Sequence, residues 1–123
     1  MPNNPNLKKY LLNYDDKVDI VFEIDHNIAT EDFFQLLNNL LSGNEERLDK
    51  NGSAFESVMK LIGIEILSLT IKYHLNTAAV ISSLNDGSAH EFFPKMDGTF
   101  GIKIISIDNF EFEEDDFTLT EML

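Results

Sequence analysis

Cysteine is absent from the chain. The protein therefore has no disulfide framework, no thiolate nucleophile and no zinc site built on cysteine ligands. A reducing compartment suits such a composition, and we expect the protein in the cytoplasm. The histidines are scattered, at His26, His74 and His90, and none lies beside a tight acidic cluster. We therefore predict no metal site and no cofactor.

Positively charged residues are scarce. The chain has 9 Lys and Arg against 22 Asp and Glu, which gives a formal net charge of -13 and a pI near 4.3. A field of this sign repels the phosphates of nucleic acids and anionic membrane surfaces, and it attracts basic surfaces. The charge therefore argues against direct binding to nucleic acid or to a membrane, and it favours a basic protein surface as the partner.

Long hydrophobic runs are also missing. The most apolar stretch, residues 61–75, is interrupted by charged and polar residues such as Glu65 and Lys72, so it does not form a membrane span. Residues 1–6 are mostly polar, and we expect them to form a flexible N-terminus. The length of 123 residues is typical of one domain, and we predict a single domain over residues 1–123.

Known catalytic motifs do not occur in the sequence. It contains no Gly-x-Ser-x-Gly, no phosphate-binding glycine-rich loop and no His-Glu-x-x-His. The carboxylate pairs 15–16 and 45–46 would act as general acid and base only if one member were buried. Both pairs lie in polar, turn-like stretches. We therefore predict no catalytic residues and no enzymatic activity.

The structured part of the chain begins with a predicted β-hairpin. The apolar residues at positions 18, 20, 22 and 24 show the period of two that is typical of a half-buried strand. The turn-like residues 15–17 divide residues 8–25 into two extended runs.

A long helix is predicted at the centre of the chain. Ser53 and Glu56 form a capping box, and residues 55–73 are apolar on nearly every side. We expect neighbouring elements to cover this helix on several sides. Gly63 in its middle lowers helix propensity, which favours a close crossing by another element at that point.

Two shorter helices flank this central helix. Thr30 is a candidate N-cap for a helix that ends at Gly43, and Asn76 is a candidate N-cap for one that ends at Gly87. Residues 44–52 are polar and are interpreted as a loop or a short exposed helical turn.

The last third of the chain returns to strand character. Residues 91–96 and 99–107 flank Asp97-Gly98, which is a strong hairpin signal. The first of these strands contains a proline and is expected at an edge, the second is expected at the centre of the sheet, and residues 117–122 are a candidate for one more strand. This order predicts an α+β fold, with an antiparallel sheet of about four to five strands and about two to three helices on one face.

One part of this region resembles a known family. The segment FPKMDGTFGI at residues 93–102, followed by the acidic FEEDDF at residues 112–117, is similar to an uncharacterised family of small bacterial and prophage-carried proteins, a domain of unknown function. The order of strands and helices is similar over most of the chain. The resemblance implies a bacterial or phage origin and a small stand-alone protein, and it implies no catalytic residues.

Acidic residues are concentrated toward the C-terminus. Residues 104–123 contain seven acids and no Lys or Arg, and Phe110, Phe112 and Phe117 are interleaved with them. One interpretation is a solvated surface that aids solubility. The other is an interface in which carboxylates imitate phosphates and aromatic residues act as anchors. On that interpretation the partner-binding residues are Asp108, Glu111, Glu113, Glu114, Asp115 and Asp116.

These features favour an acidic binding protein over an enzyme. Together with the resemblance, they suggest a phage or prophage inhibitor, of the DNA-mimic or anti-CRISPR type, that occupies the basic surface of a nucleic-acid-binding host or defence protein. The sequence leaves two other classes of function open. A structural or assembly protein would show an apolar exposed patch or an interface between copies, and a small enzyme would show a pocket with a carboxylate or histidine site.

Overall fold

The computed structural model describes residues 4–89, 92–108 and 113–122. Its elements follow the chain as strands, helices and a returning strand: β1 (Leu7–Tyr14), β2 (Val18–Asp25), α1 (Glu31–Asn39), α2 (Asn44–Asn51), α3 (Ala54–Lys72), α4 (Thr77–Asp86) and β3 (Ile102–Asp108). A short 3-10 helix at Glu114–Asp116 follows β3. The predicted α+β class is confirmed.

Among the described residues, the sheet has three antiparallel strands in the order β1-β2-β3, which is fewer than the four to five that the sequence predicted. The hairpin of β1 and β2 is confirmed, and its turn holds Asp15 and Asp16 at positive φ. The strand predicted at residues 99–107 begins only at Ile102, and it lies at an edge of the sheet rather than at its centre. The central strand is β2, because it pairs with both β1 and β3.

The central helix α3 packs across one face of this sheet. The residues expected in the core are buried on α3 (Val58, Met59, Ile62, Ile66 and Leu69) and on β2 and β3 (Ile20, Phe22, Ile24, Ile102 and Ile104). Phe100 was also expected to be partly buried in the sheet, but it lies in the turn before β3 and is exposed. The predicted close crossing is confirmed, since a Cβ on Gly63 would lie 2.7 Å from Cδ2 of Leu12 in β1. Coverage of α3 is less complete than expected, because Ile64 and Ile71 remain exposed.

The three predicted N-caps are confirmed. The side chains of Thr30, Ser53 and Asn76 accept hydrogen bonds from backbone N–H groups in the first turns of α1, α3 and α4. In the N-terminal region, Asn4 and Asn6 form side-chain hydrogen bonds with Asn27. The prediction of a flexible N-terminus also covers residues 1–3, which lie outside the described residues.

The polar stretch after α1 forms a complete helix, α2, although none of its residues is buried. Arg47 of α2 joins it to the end of α1. Its Nε donates to Oδ1 of Asn38 over 2.9 Å, and its Nη2 donates to the carbonyls of Asn38 and Leu41 over 3.0 Å each. Its Nη1 donates to the carbonyl of Ser42. One guanidinium therefore binds three carbonyls at and just after the C-terminal end of α1, where the helix no longer supplies regular backbone donors.

The hairpin predicted around Asp97-Gly98 differs from the observed loop. In the described part, residues 92–96 do not form a strand, and the residues from Gly98 to Gly101 make the turn. A single bridge between Asp97 and Lys103 follows the edge of β3. Its hydrogen bonds run from Gly98 N–H to the Ile102 carbonyl and from Ile104 N–H to the Met96 carbonyl. A strand over residues 117–122 is likewise wrong, since these residues are exposed and do not pair with the sheet. Strand propensity is a property of a short window of sequence. Whether such a window pairs with another strand is decided by the packing of the whole sheet.

Gly101 marks the tightest backbone contact. Its φ is +87°, and a Cβ there would lie 2.6 Å from the backbone N of Ala29 and 2.9 Å from the carbonyl O of Asp25. We expect Gly101→Ala to lower the free energy of unfolding by about 2 to 5 kcal/mol, because strain at positive φ adds to overpacking against backbone. Urea denaturation followed by circular dichroism measures this change.

Gly52→Ala is the matched control. Gly52 has φ +82°, and a Cβ there would meet nothing within 4 Å. This substitution carries only the conformational cost, about 1 kcal/mol. Equal losses for the two variants would contradict the assigned contact between Gly101 and the loop that follows β2.

Candidate acidic interface

Acidic residues from three separate segments meet at one end of the sheet. The turn between β1 and β2 lies beside residues 113–116, and together they line a shallow hollow of about 190 Å³. The hollow holds four acids and one lysine: Asp15, Asp16, Glu113, Asp116 and Lys17. The C-terminus of β3 reaches the same end of the sheet, since Asp108 is the register partner of Asp19 in β2.

We call this surface the acidic end, and its members are Asp15, Asp16, Asp19, Asp108, Glu113, Glu114, Asp115 and Asp116. All except Asp19 are exposed. Asp19 is half-buried and its Oδ1 accepts a hydrogen bond from Nδ2 of Asn13 over 2.7 Å. Like charges on facing strand positions repel each other, so the Asp19 and Asp108 pair adds no stability to the sheet.

Five of the predicted partner-binding residues lie at this surface. Asp108, Glu113, Glu114, Asp115 and Asp116 are described and exposed. Glu111 lies outside the described residues, as do Phe110 and Phe112, two of the three aromatic residues considered as anchors. The third, Phe117, is exposed.

The sequence interpretation missed Asp15, Asp16 and Asp19 as members of this surface. The predicted hairpin already placed the first two at a sheet end. The pairing of β2 with β3 was the missing information, because it brings residues about ninety positions apart into one surface.

Lys17 links the hairpin turn to the acidic segment. Its Nζ lies 2.5 Å from Oδ2 of Asp116, and both side chains are partly exposed. The hydrogen bond from Lys17 lowers the pKa of the Asp116 carboxyl below its ordinary value. The same hydrogen bond raises the pKa of Lys17, and the charges of Asp116, Asp15 and Glu113 act in the same direction. The contact therefore favours the charged forms of both Asp116 and Lys17, and it ties residues 113–116 to the hairpin turn.

His26 and His74 take no part in this surface. Oη of Tyr10 and Nε2 of His26 lie 2.7 Å apart, and the two rings stand edge to face with Phe55. His74 is exposed after the end of α3, and His90 lies outside the described residues. Across residues 4–89, 92–108 and 113–122, no group of three Asp, Glu or His side chains is arranged to hold a metal ion.

Within the described ranges, no helix combines the length and the apolar composition needed to cross a membrane. The fold and the surface together define a small acidic α+β protein whose charge converges at one end of a three-stranded sheet.

Comparison with known proteins places this chain in a family. The chain belongs to the family described as protein of unknown function DUF2528, whose model matches residues 19–119. It is 39% identical over 117 residues to protein ea10 of Escherichia phage lambda, and the match covers 93% of this chain and 96% of that protein. The lambda prophage-derived protein ea10 of Escherichia coli O6:H1 (strain CFT073) matches with the same identity and coverage. No solved structure gives a significant match. The resemblance to an uncharacterised prophage family is confirmed.

The link between Lys17 and Asp116 is testable by titration. In the wild type, NMR should show the Asp116 carboxyl titrating below its ordinary pKa, and Lys17→Gln should move that pKa upward because the hydrogen bond is lost. Since the folded-state pKa is the lower one, the linked stability is present above the unfolded-state pKa and is lost as pH falls through the folded one.

Lys103→Gln is the control for this experiment. It removes the same charge from an exposed position on β3, opposite Glu23 and away from the hairpin turn. An Asp116 titration that shifts equally in both variants would show that net charge, and not the contact with Lys17, lowers its pKa.

Proposed function

We propose that this protein is a non-enzymatic binding protein whose acidic end occupies the basic surface of a partner protein. The observation that carries the proposal is the convergence of acids from the hairpin turn, the facing ends of β2 and β3, and residues 113–116. A solvated acidic tail would not need support from a folded sheet.

The chemistry of such an interface follows from the groups presented. A Lys or Arg side chain that binds a DNA phosphate finds an equivalent charged acceptor in a carboxylate, so the acidic end competes for the same cations. Carboxylates held on strands and a tied segment lose less conformational freedom on binding than carboxylates on a free tail. The tie between Lys17 and Asp116 therefore supports binding by preorganising residues 113–116.

The relatives indicate a phage or prophage origin for the interaction. Those named above are a phage lambda protein and a lambda prophage-derived protein. In that setting a nucleic-acid-binding protein of the host, including a defence protein, is the partner that best fits an acidic surface. The protein would then act as an inhibitor that imitates DNA, of the DNA-mimic or anti-CRISPR type, without catalysis, metal or cofactor.

Neutralising the acidic segment tests the proposal. The variant carries Glu113→Gln, Glu114→Gln, Asp115→Asn and Asp116→Asn, and the fold should persist because all four side chains are exposed. We expect capture of the partner from a lysate of the native host to be lost, with an increase in Kd of more than about tenfold once the partner is purified. Raising the salt concentration should weaken wild-type binding, because contacts between charges are screened.

A second variant controls for net charge. It carries Asp32→Asn, Glu45→Gln, Glu46→Gln and Asp49→Asn, four exposed acids on α1 and α2. Both variants lose four negative charges, but only the first changes the acidic end. If the two variants bind the partner equally well, the acidic end is a solvated surface and the proposal is wrong.

A further inference from the structure

In the described part of the chain, the two edges of the sheet differ in their backbone pairing. At the β3 edge, Met96 and Asp97 pair with residues of the strand. β1 forms the other edge, and its only strand partner is β2. An edge with open backbone groups is a template for pairing with another strand. Three large apolar side chains of this edge strand, Leu7, Leu11 and Tyr14, are exposed.

An apolar groove runs between this edge and α3. It consists of two neighbouring hollows of about 270 and 290 Å³, which share Leu12 and Lys60 in their walls. Tyr14, Ile64 and Leu67 line the first hollow. Ile64 is 62% exposed although it lies in the middle of α3. We call this feature the edge groove, and it leaves room for one more strand beside β1.

The same chain carries a segment with the properties of that strand. Residues 117–122, with the sequence FTLTEM, are rich in residues that favour strands. Phe117, Leu119 and Met122 are 83%, 101% and 92% exposed, so these side chains pack against nothing in the described part of the chain. Large apolar side chains that are exposed next to one another are typical of a binding site.

We propose that residues 117–122 of one copy pair with β1 of a second copy, so that two copies exchange these segments in a symmetric dimer. An antiparallel placement with Phe117 opposite Tyr14 brings Leu119 opposite Leu12 and Glu121 opposite Tyr10. Because side chains alternate along a strand, these three residues of the segment all face the edge groove.

Charge complementarity supports this placement. Tyr14, Leu12, Tyr10 and Lys8 lie on the same face of β1, because their register partners in β2 are the buried residues Val18, Ile20, Phe22 and Ile24. Phe117 and Leu119 therefore meet apolar walls. Glu121 arrives near Lys8 of the edge strand and near Lys60 of the groove, which also pairs with Glu56 in the same wall. The reverse direction would carry Glu121 toward the acidic hairpin turn.

The salt dependence of this dimer distinguishes it from binding at the acidic end. Each copy carries a net charge of -13, so two copies repel each other at low salt. Screening by added salt weakens that repulsion, and apolar contacts in the groove are not weakened with it. Dimerisation should therefore strengthen as salt rises, whereas binding to a basic partner should fade. The dimer does not depend on the proposed function.

Analytical ultracentrifugation over a concentration series tests the proposal. We expect the wild type to dimerise, and we expect both Ile64→Lys and removal of residues 117–123 to give monomers. Ile71→Lys is the matched control, because Ile71 is 59% exposed on the same helix but does not line either hollow. A monomeric wild type, or a dimer that survives loss of residues 117–123, would overturn the proposal.

Cross-linking separates exchange from docking within one chain. The protein has no cysteine, so a chain with Leu11→Cys and Thr120→Cys offers only these two thiols, which are facing positions in the proposed register. Facing strand positions lie at a separation that suits a disulfide. Oxidation should give a covalent dimer in far higher yield than either single variant gives. A product cross-linked within one chain would show that the segment binds its own groove, and the exchange would be wrong.

Discussion

The alternation of side chains along β2 is the constraint on which the rest of the fold depends. Its even-numbered residues from Val18 to Ile24 are buried, so the helices must cover that face. A shift of one residue in pairing would turn Asp19, Glu23 and Asp25 into the core. β2 is also central, and its register therefore fixes both neighbours. The acidic end exists because this register brings Asp19 beside Asp108 and places the hairpin turn next to the segment that follows β3.

Local signals in the sequence predicted most of the elements. Thr30, Ser53 and Asn76 each act as caps through a hydrogen bond to a residue three positions away, so the signal and its partner lie in the same short window. The hairpin was predictable for the same reason. The burial of α3 followed from its apolar composition. The close crossing at Gly63 was predictable because glycine lowers helix propensity, so a glycine in the middle of a helix indicates a neighbour that approaches closely.

The features that the sequence did not predict depend on distant partners. α2 has no apolar period, and its helix is joined to α1 through Arg47, a contact that no local pattern indicates. The position of β3 at the edge is decided by β2, and the extent of the acidic end is decided by the same pairing. The acidic run itself was visible in the sequence, but Asp15, Asp16 and Asp19 joined it only through the fold.

The contact between Arg47 and the end of α1 also sets what sequence change α2 can tolerate. No residue of α2 is buried, and five of its eight positions are exposed and place almost no packing demand on their side chains. The half-buried Asn44, Arg47 and Asn51 are the exceptions. Asn44 and Asn51 form side-chain hydrogen bonds with Asn39 of α1 and with Ser57 and Lys60 of α3. The Arg47 guanidinium satisfies carbonyls at Asn38, Leu41 and Ser42 at the same time. Lysine has no planar fork and would not replace it. During evolution the exposed surface of α2 is therefore free to acquire a new charge pattern while the fold stays intact, as long as Asn44, Arg47 and Asn51 are kept.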